Sequence, residues 1–145
     1  MIQVKKIDNQ IDTQSAIDIR EEVFVKEQKV PKEDEYDNYE NESHHFLAYY
    51  ENTPCGTARW RFTEKGIKLE RFAVLKEFRD KKVGKAILEN VLLDIKNHPE
   101  SQNKALYLHA QVQVVEFYEK FGFQKLGEPF QECDIWHYKM QKLED

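Results

Sequence analysis

Apolar residues recur at every fourth position in the stretch 83–98, where Val83, Ile87, Val91 and Ile95 are flanked by Ala86, Leu88 and Leu92. That spacing stacks them along one face of an α-helix, and Pro99 closes it. A second helix is predicted over 13–28: Ala16, Ile17, Ile19, Val23 and Phe24 keep helical spacing, and Thr13 or Ser15 can cap the start. Pro31 ends any helix there, and the acidic run 32-KEDEYDNYENES-43 reads as a solvated loop. Elsewhere the period drops to two. Residues 2–7 predict a short first strand. The segments 44–50, 55–62 and 67–75 predict three hairpin-connected strands, with turns at 52–54 and 64–66. A further strand follows at 104–110, then a helix at 112–121 stopped by Gly122, then strands at 123–126 and 131–140. A strand–helix–strand crossover appended to an antiparallel meander makes a mixed sheet with helices packed on it, an α/β architecture.

The 145 residues suit one domain, 1–145, large enough for a real core. Aromatic residues at 12% argue against disorder, and a net charge of -5 argues against a nucleic-acid partner, which asks for a broad basic face. No apolar run is long enough to span a bilayer, and the first residues lack a secretory pattern. Cys55 and Cys133 read as two reduced thiols of a cytoplasmic protein, not as a disulfide framework or a zinc site. His44 and His45 are adjacent on one strand and point to opposite faces, so they make a poor metal pair.

Against that acidic background, Arg79, Lys81, Lys82 and Lys85 crowd around Gly84 at a strand-to-helix junction. The first turn of a helix presents backbone N–H groups without intrahelical partners, and its positive dipole end attracts anions. Lysines there are unfavourable for the dipole, so the cluster points to an anionic ligand such as a phosphate; a solvated basic surface is the alternative. Neither the phosphate loop G-x-x-x-x-G-K-[ST] nor the dinucleotide fingerprint G-x-G-x-x-G occurs, which weakens a nucleotide-binding reading.

The run 74-VLKEFRDKKVGKAIL-88 resembles the R/Q-x-x-G-x-G/A signature of the GNAT superfamily of N-acetyltransferases, with Arg79 at the first position and Gly84 at the last. Lys82 stands where the family has its first glycine; a left-handed backbone there would cost a lysine about 1–2 kcal/mol. The segments 20-REEVFVKEQKVP-31, 70-ERFAV-74, 107-YLHAQ-111, 118-YEKFGF-123 and 132-ECDIWHYKM-140 are similar to a bacterial subgroup of small members, the ElaA and YjcF types.

The resemblance implies a mostly antiparallel sheet whose fourth and fifth strands splay apart around acetyl-CoA. It implies that the main chain of Phe72, Ala73 and Val74 pairs with the pantetheine amides. Residues Arg79, Asp80, Lys81, Lys82, Val83, Gly84 and Lys85 would cradle the diphosphate. Tyr118, four residues before 122-GF-123, would protonate the leaving thiolate and contact the cofactor. Glu70 would be the general base, or alternatively a strand carboxylate paired with Arg59, Arg61 or Arg71. An N–H near Val74 would polarise the carbonyl. The acceptor, a small amine, would lie against Phe24, Glu27, Gln28, His109 and Glu132, with no metal needed. His109, Gln111 and His137 could instead be simply hydrogen-bonded, and Phe24 could be core. Exposed last strands in this superfamily suggest a homodimer. A non-catalytic acyl-CoA-binding module is the competing expectation.

Overall fold

A computed structural model describes residues 1–142; the last three residues of the expected domain lie outside it. Strand β1 (Ile2–Lys6) leads to helix α1 (Gln10–Arg20), which continues as a π-helical segment, Glu21–Glu27. A short helix α2 (Lys32–Glu35) precedes the meander β2 (His44–Tyr50), β3 (Thr53–Thr63) and β4 (Gly66–Val74). A 3-10 turn (Lys76–Lys81) feeds α3 (Val83–Asn97) and β5 (Leu106–Gln111). A second 3-10 turn (Val112–Val114) and α4 (Val115–Glu119) lead to the hairpin β6 (Phe123–Glu132) and β7 (Ile135–Lys142).

The seven strands lie in the order β1-β2-β3-β4-β5-β7-β6. Every neighbouring pair is antiparallel except β4 and β5, which are parallel because the α3 crossover returns the chain in the same direction. The expected α/β mixed sheet is therefore present. Helix α3 packs Val83, Ile87, Leu88, Val91 and Ile95 onto one face, in a core that includes Trp60, Leu69, Leu108, Ala110, Tyr118 and Met140. Gly56 permits this close seat, since a Cβ there would come within 2.8 Å of Ile87 Cδ1. Helix α1 covers the other face, where Ala16, Ile19 and Val23 meet Leu47 and Ala73.

Four local expectations are corrected. The first helix starts at Gln10, because Asn9 caps it: the Asp12 backbone N–H donates to Asn9 Oδ1 at 2.8 Å. Past Arg20 that helix widens, with the Gln28 N–H donating to the Val23 carbonyl, five residues back. The last hairpin turns at Cys133 (φ 51) and Asp134 (φ 61), a pair of left-handed residues suited to a two-residue loop, so the stretch 131–140 is split between two strands. The acidic run 32–43 is not a free loop, and the reason lies in the site.

Candidate functional site

Strands β4 and β5 share three rungs, Ile67↔Leu106, Lys68↔Tyr107 and Leu69↔Leu108. Beyond them the strands part. The cause is visible on the other edge of β4: between Thr57↔Ala73 and Arg59↔Glu70 its strand carries one residue more than β3. Arg71, left-handed at φ 58, absorbs the surplus. Such a bulge bends and overtwists its strand, which carries 70–74 away from 109–111. The result is a cleft of about 1000 Å³ that reaches both faces of the sheet.

On the α3 face the cleft is lined by Arg79, Asp80, Lys82, Gly84 and Lys85. Lys82 is the residue preceding α3 and is left-handed (φ 66, ψ 24), the conformation a glycine would adopt without strain. No side chain caps the first turn of α3. At Gly84 a Cβ would meet only the Phe117 ring, at 3.6 Å, so internal packing does not demand the glycine and the space beside it belongs to the cleft. Of the expected cradle residues, two do not line it: Val83 is fully buried beneath the helix, and Lys81 lies over the Tyr50 ring at 5.2 Å.

Lys82→Gly is expected to raise stability to urea by about 0.5–1 kcal/mol, the strain relieved less the extra freedom of the unfolded chain. A lower midpoint would show that the lysine side chain contributes more than its backbone costs.

Arg79 is not free. It donates from Nη1 and Nη2 to the two carboxylate oxygens of Glu27, both at 2.6 Å, and from Nε to the Val74 carbonyl at 2.9 Å. The Arg79 hydrogen bonds hold the Glu27 carboxyl below its usual pKa. Glu27, expected at the acceptor end, is thus placed at the basic turn and off the cleft wall. The next residue, Gln28, exchanges amide hydrogen bonds with Gln111 on β5 (2.9 and 3.4 Å). Two consecutive residues of the widened helix end therefore hold both sides of the gap.

In the middle, Phe72, Ala73 and Val74 line the cleft, and the Phe72 ring stands edge-to-face on Tyr118 at 5.9 Å. Tyr118 is 7% exposed, and burial pushes its phenol well above the ordinary value. At neutral pH it keeps its proton.

On the α1 face the cleft is lined by Phe24, Gln28, Glu70, Arg71, His109 and Glu132. Glu70 lies in a cage of cations: Arg59 Nη2 at 2.6 Å, Arg61 Nε at 2.7 Å and Lys68 Nζ at 3.3 Å. Burial works against its ionisation, but these charges, Arg59 foremost, outweigh it and bring the pKa down to about 2. A carboxylate so stabilised is a feeble proton acceptor. The geometry gives Glu70 the strand ion-pair role with Arg59 and Arg61, not that of a poised base.

The same charges explain the acidic run. Arg59 is fully buried and also binds Asp37 and Glu40, each at 2.6 Å. Glu40 pairs with Arg20 (2.7 Å), Arg20 with Glu35 (2.6 Å), Glu35 with Arg71 (3.3 Å) and Arg71 with Asp37 (3.1 Å). Three arginines and three carboxylates alternate in a closed ring. It fastens the segment after α1 against β3 and the bulge, and so builds one wall of the cleft.

His109 is the first β5 residue past the last rung, and its Nδ1 lies 3.2 Å from Glu132 Oε2. Glu132 Oε1 is 3.9 Å from His137 Nε2. Sequence reasoning missed Lys68, Arg71, Asp34 and Cys133 as lining residues. Only Asp34 carried a signal, in the acidic run. Among the described residues no cluster of His, Cys, Asp or Glu is arranged to hold a metal, and no helix is long and apolar enough to cross a membrane.

Known proteins are similar to this chain in sequence and in fold. The uncharacterized N-acetyltransferase YjcF of Bacillus subtilis is 41% identical over 135 residues, 92% of this chain and 94% of that protein. The crystal structure of Escherichia coli ElaA superposes with a TM-score of 0.83 at 24% identity, covering 99% of this chain and all of ElaA (100%), a likeness of fold. The PaiA N-acetyltransferase of Thermoplasma acidophilum, solved in complex with coenzyme A, has the same fold with a TM-score of 0.70 at 19% identity, covering 98% of each chain. A family model for the acetyltransferase (GNAT) domain matches residues 7–144, nearly the whole chain, so this protein belongs to the GNAT family and is an acyl-CoA-dependent acetyltransferase.

Proposed function

We propose that the protein transfers the acetyl group of acetyl-CoA directly to a primary amine of a small acceptor, with both substrates in the cleft at once. One observation carries this reading: the gap between β4 and β5 opens on both faces of the sheet, with a basic helix start on one side and a polar chamber on the other. Arg79, Lys82 and Lys85, with the uncapped amides of α3, would hold the diphosphate by charge and main-chain hydrogen bonds. The gap-facing backbone of Phe72, Ala73 and Val74 would receive the pantetheine amides as a neighbouring strand would. Acetyl-CoA supplies an acyl group activated as a thioester.

The residues of this chain supply alignment and proton management. Holding two reactants in register is worth about 7–11 kcal/mol. The buried Tyr118 phenol gives its proton to the departing sulfur. An N–H near Val74 would polarise the acyl oxygen. At the acceptor end Phe24, Gln28, His109 and Glu132 line the chamber, and exposed Asp34 beside them favours a cationic amine.

Release of thiol from acetyl-CoA, measured across a panel of primary amines, tests the proposal. Intersecting initial-velocity lines are expected for the best amine. Binding of coenzyme A without turnover of any amine would instead leave a carrier-binding module.

Glu27→Gln is expected to tighten coenzyme A binding about threefold in calorimetry, because the carboxylate competes with phosphate for Arg79. The pair is part-exposed, which limits the gain to under about 1 kcal/mol. Weaker binding in the variant would mean that Glu27 orders Arg79 for the phosphate instead of competing with it.

A further inference from the structure

With Glu70 caged by cations, the amine proton needs another destination. We propose that His109, oriented by Glu132, accepts the proton of the attacking amine. This rests on the acetyl-transfer reading above and adds the group that completes it.

The placement follows from the register. Continuing the parallel ladder past Leu69↔Leu108 would set His109 beside Glu70; the bulge in β4 separates them instead and leaves the imidazole on the cleft wall. Leu108 and Ala110 point into the core on the α3 face, so His109 between them faces the α1 side, where the acceptor chamber lies. Its side chain is 24% exposed. Phe130 stands edge-on to the ring at 5.0 Å and fixes its plane.

The hydrogen bonds select a tautomer. Glu132 is a carboxylate, its pKa lowered first by the His109 hydrogen bond, so it accepts and His109 Nδ1–H donates. The lone pair is then on Nε2 of a ring that lines the cleft. His137, on the other carboxylate oxygen of Glu132, is itself fixed by donating from Nδ1 to the Ile135 carbonyl at 2.7 Å. The titratable and charged groups that line this side of the cleft with His109 are Lys68, Glu70 and Arg71 from β4, Asp34 from α2, Glu132 and His137 from the β6–β7 hairpin, and Cys133 at its turn. Lys139, opposite His109 on β7, has its ammonium over the Tyr107 ring instead.

The step balances. The acceptor first gives its ammonium proton to solvent, and the neutral amine nitrogen then bonds to the acyl carbon as the carbon–sulfur bond breaks. One nitrogen-bound proton passes to His109 Nε2, and the sulfur takes the Tyr118 proton. Solvent then restores the phenol and deprotonates the imidazolium. His109 would be catalytic, and Glu132 a positioning residue.

Two measurements decide it. In the resting protein, nitrogen-15 spectra of labelled histidine should show His109 with a proton on Nδ1 and a bare Nε2, and Glu132→Gln should lose that preference. With the amine turned over best, His109→Gln should lower kcat by about 10²–10⁴-fold, remove an acid limb from the pH profile and leave KM for acetyl-CoA unchanged. A proton on Nε2 in the wild type, or an unaltered pH profile in His109→Gln, overturns the proposal and leaves the transferase reading standing. No thiol release by wild type with any amine removes both.

Discussion

Tyr118→Phe is expected to cut turnover by about 10²–10⁴-fold while leaving the dissociation constant for coenzyme A within about twofold. The asymmetry follows from what the substitution removes. The ring contacts with Phe72, Phe117 and Phe123, at 5.9, 5.1 and 6.1 Å, survive intact, so the wall of the cleft keeps its shape. Only the hydroxyl goes. Burial keeps that phenol protonated across the whole working range of pH, so its loss is the loss of a proton donor and of no charge. Steady-state rates of thiol release and calorimetric titration with coenzyme A read the two halves separately. Full activity in the variant would transfer the acid role to water; a parallel fall in coenzyme affinity would make Tyr118 a binding residue alone.

Arg59→Met is expected to destabilise the fold by about 3–5 kcal/mol, a large fraction of the stability of a domain this size. Arg59 is fully buried and satisfies carboxylates from Asp37, Glu40 and Glu70 at once. Without it Asp37, Glu40 and Glu70 each lose a charged partner in a poorly solvated place, and only Arg71, Arg20, Arg61 and Lys68 remain to balance them. The carboxylates bound to Arg59 give a pH signature. Burial opposes ionisation of Asp37, Glu40 and Glu70, but their arginine partners win, and all three carboxyls are depressed, Glu70 to about 2. A depressed carboxyl contributes stability above its unfolded pKa, near 4 to 4.5, and loses it as pH falls through the folded value. The share of stability these carboxyls supply, read from urea midpoints, should therefore hold from pH 7 to pH 5 and drop steeply between about pH 4 and pH 2. The half-buried His44 and His45, whose pKa values burial lowers, already cost some stability below about pH 6.5. A flat profile over that lower window, or a variant as stable as the parent, would show that the ring contributes no net stability.

The parts of this fold written in local pattern were legible. Four-residue spacing located α3, alternation located the meander, and the order of elements gave the mixed sheet. What escaped depended on contacts between distant residues. Asn9 caps α1 through a single backbone hydrogen bond that Thr13 or Ser15 could equally have supplied. The acidic run looked solvated because its three arginine partners, Arg20, Arg59 and Arg71, come from three separate elements. Glu70 shows the limit at the site. Its strand neighbours were visible as candidate partners, but that Arg59 and Arg61 both converge on it follows from the β3–β4 register, set by a bulge that no local signal announces. Lys82 was legible as a departure from a glycine pattern, and its left-handed backbone is the strain that pattern foretells. His109 and Glu132 stand 23 residues apart and meet only because β7 lies between their strands.

The three rungs between β4 and β5 divide the sheet into two leaves, one of β1 to β4 and one of β5 to β7, joined more thinly than β5 is to β7, which share six. Backbone groups at the centre of the sheet thereby acquire the exchange behaviour of an edge, and the seam is where local opening should begin. A strand-like guest lying in that seam stitches the leaves together. At a hundredfold excess over its dissociation constant it adds about 2.7 kcal/mol, and slowed hydrogen exchange should register that gain first at 72–74 and 109–111, while the α3 core barely responds.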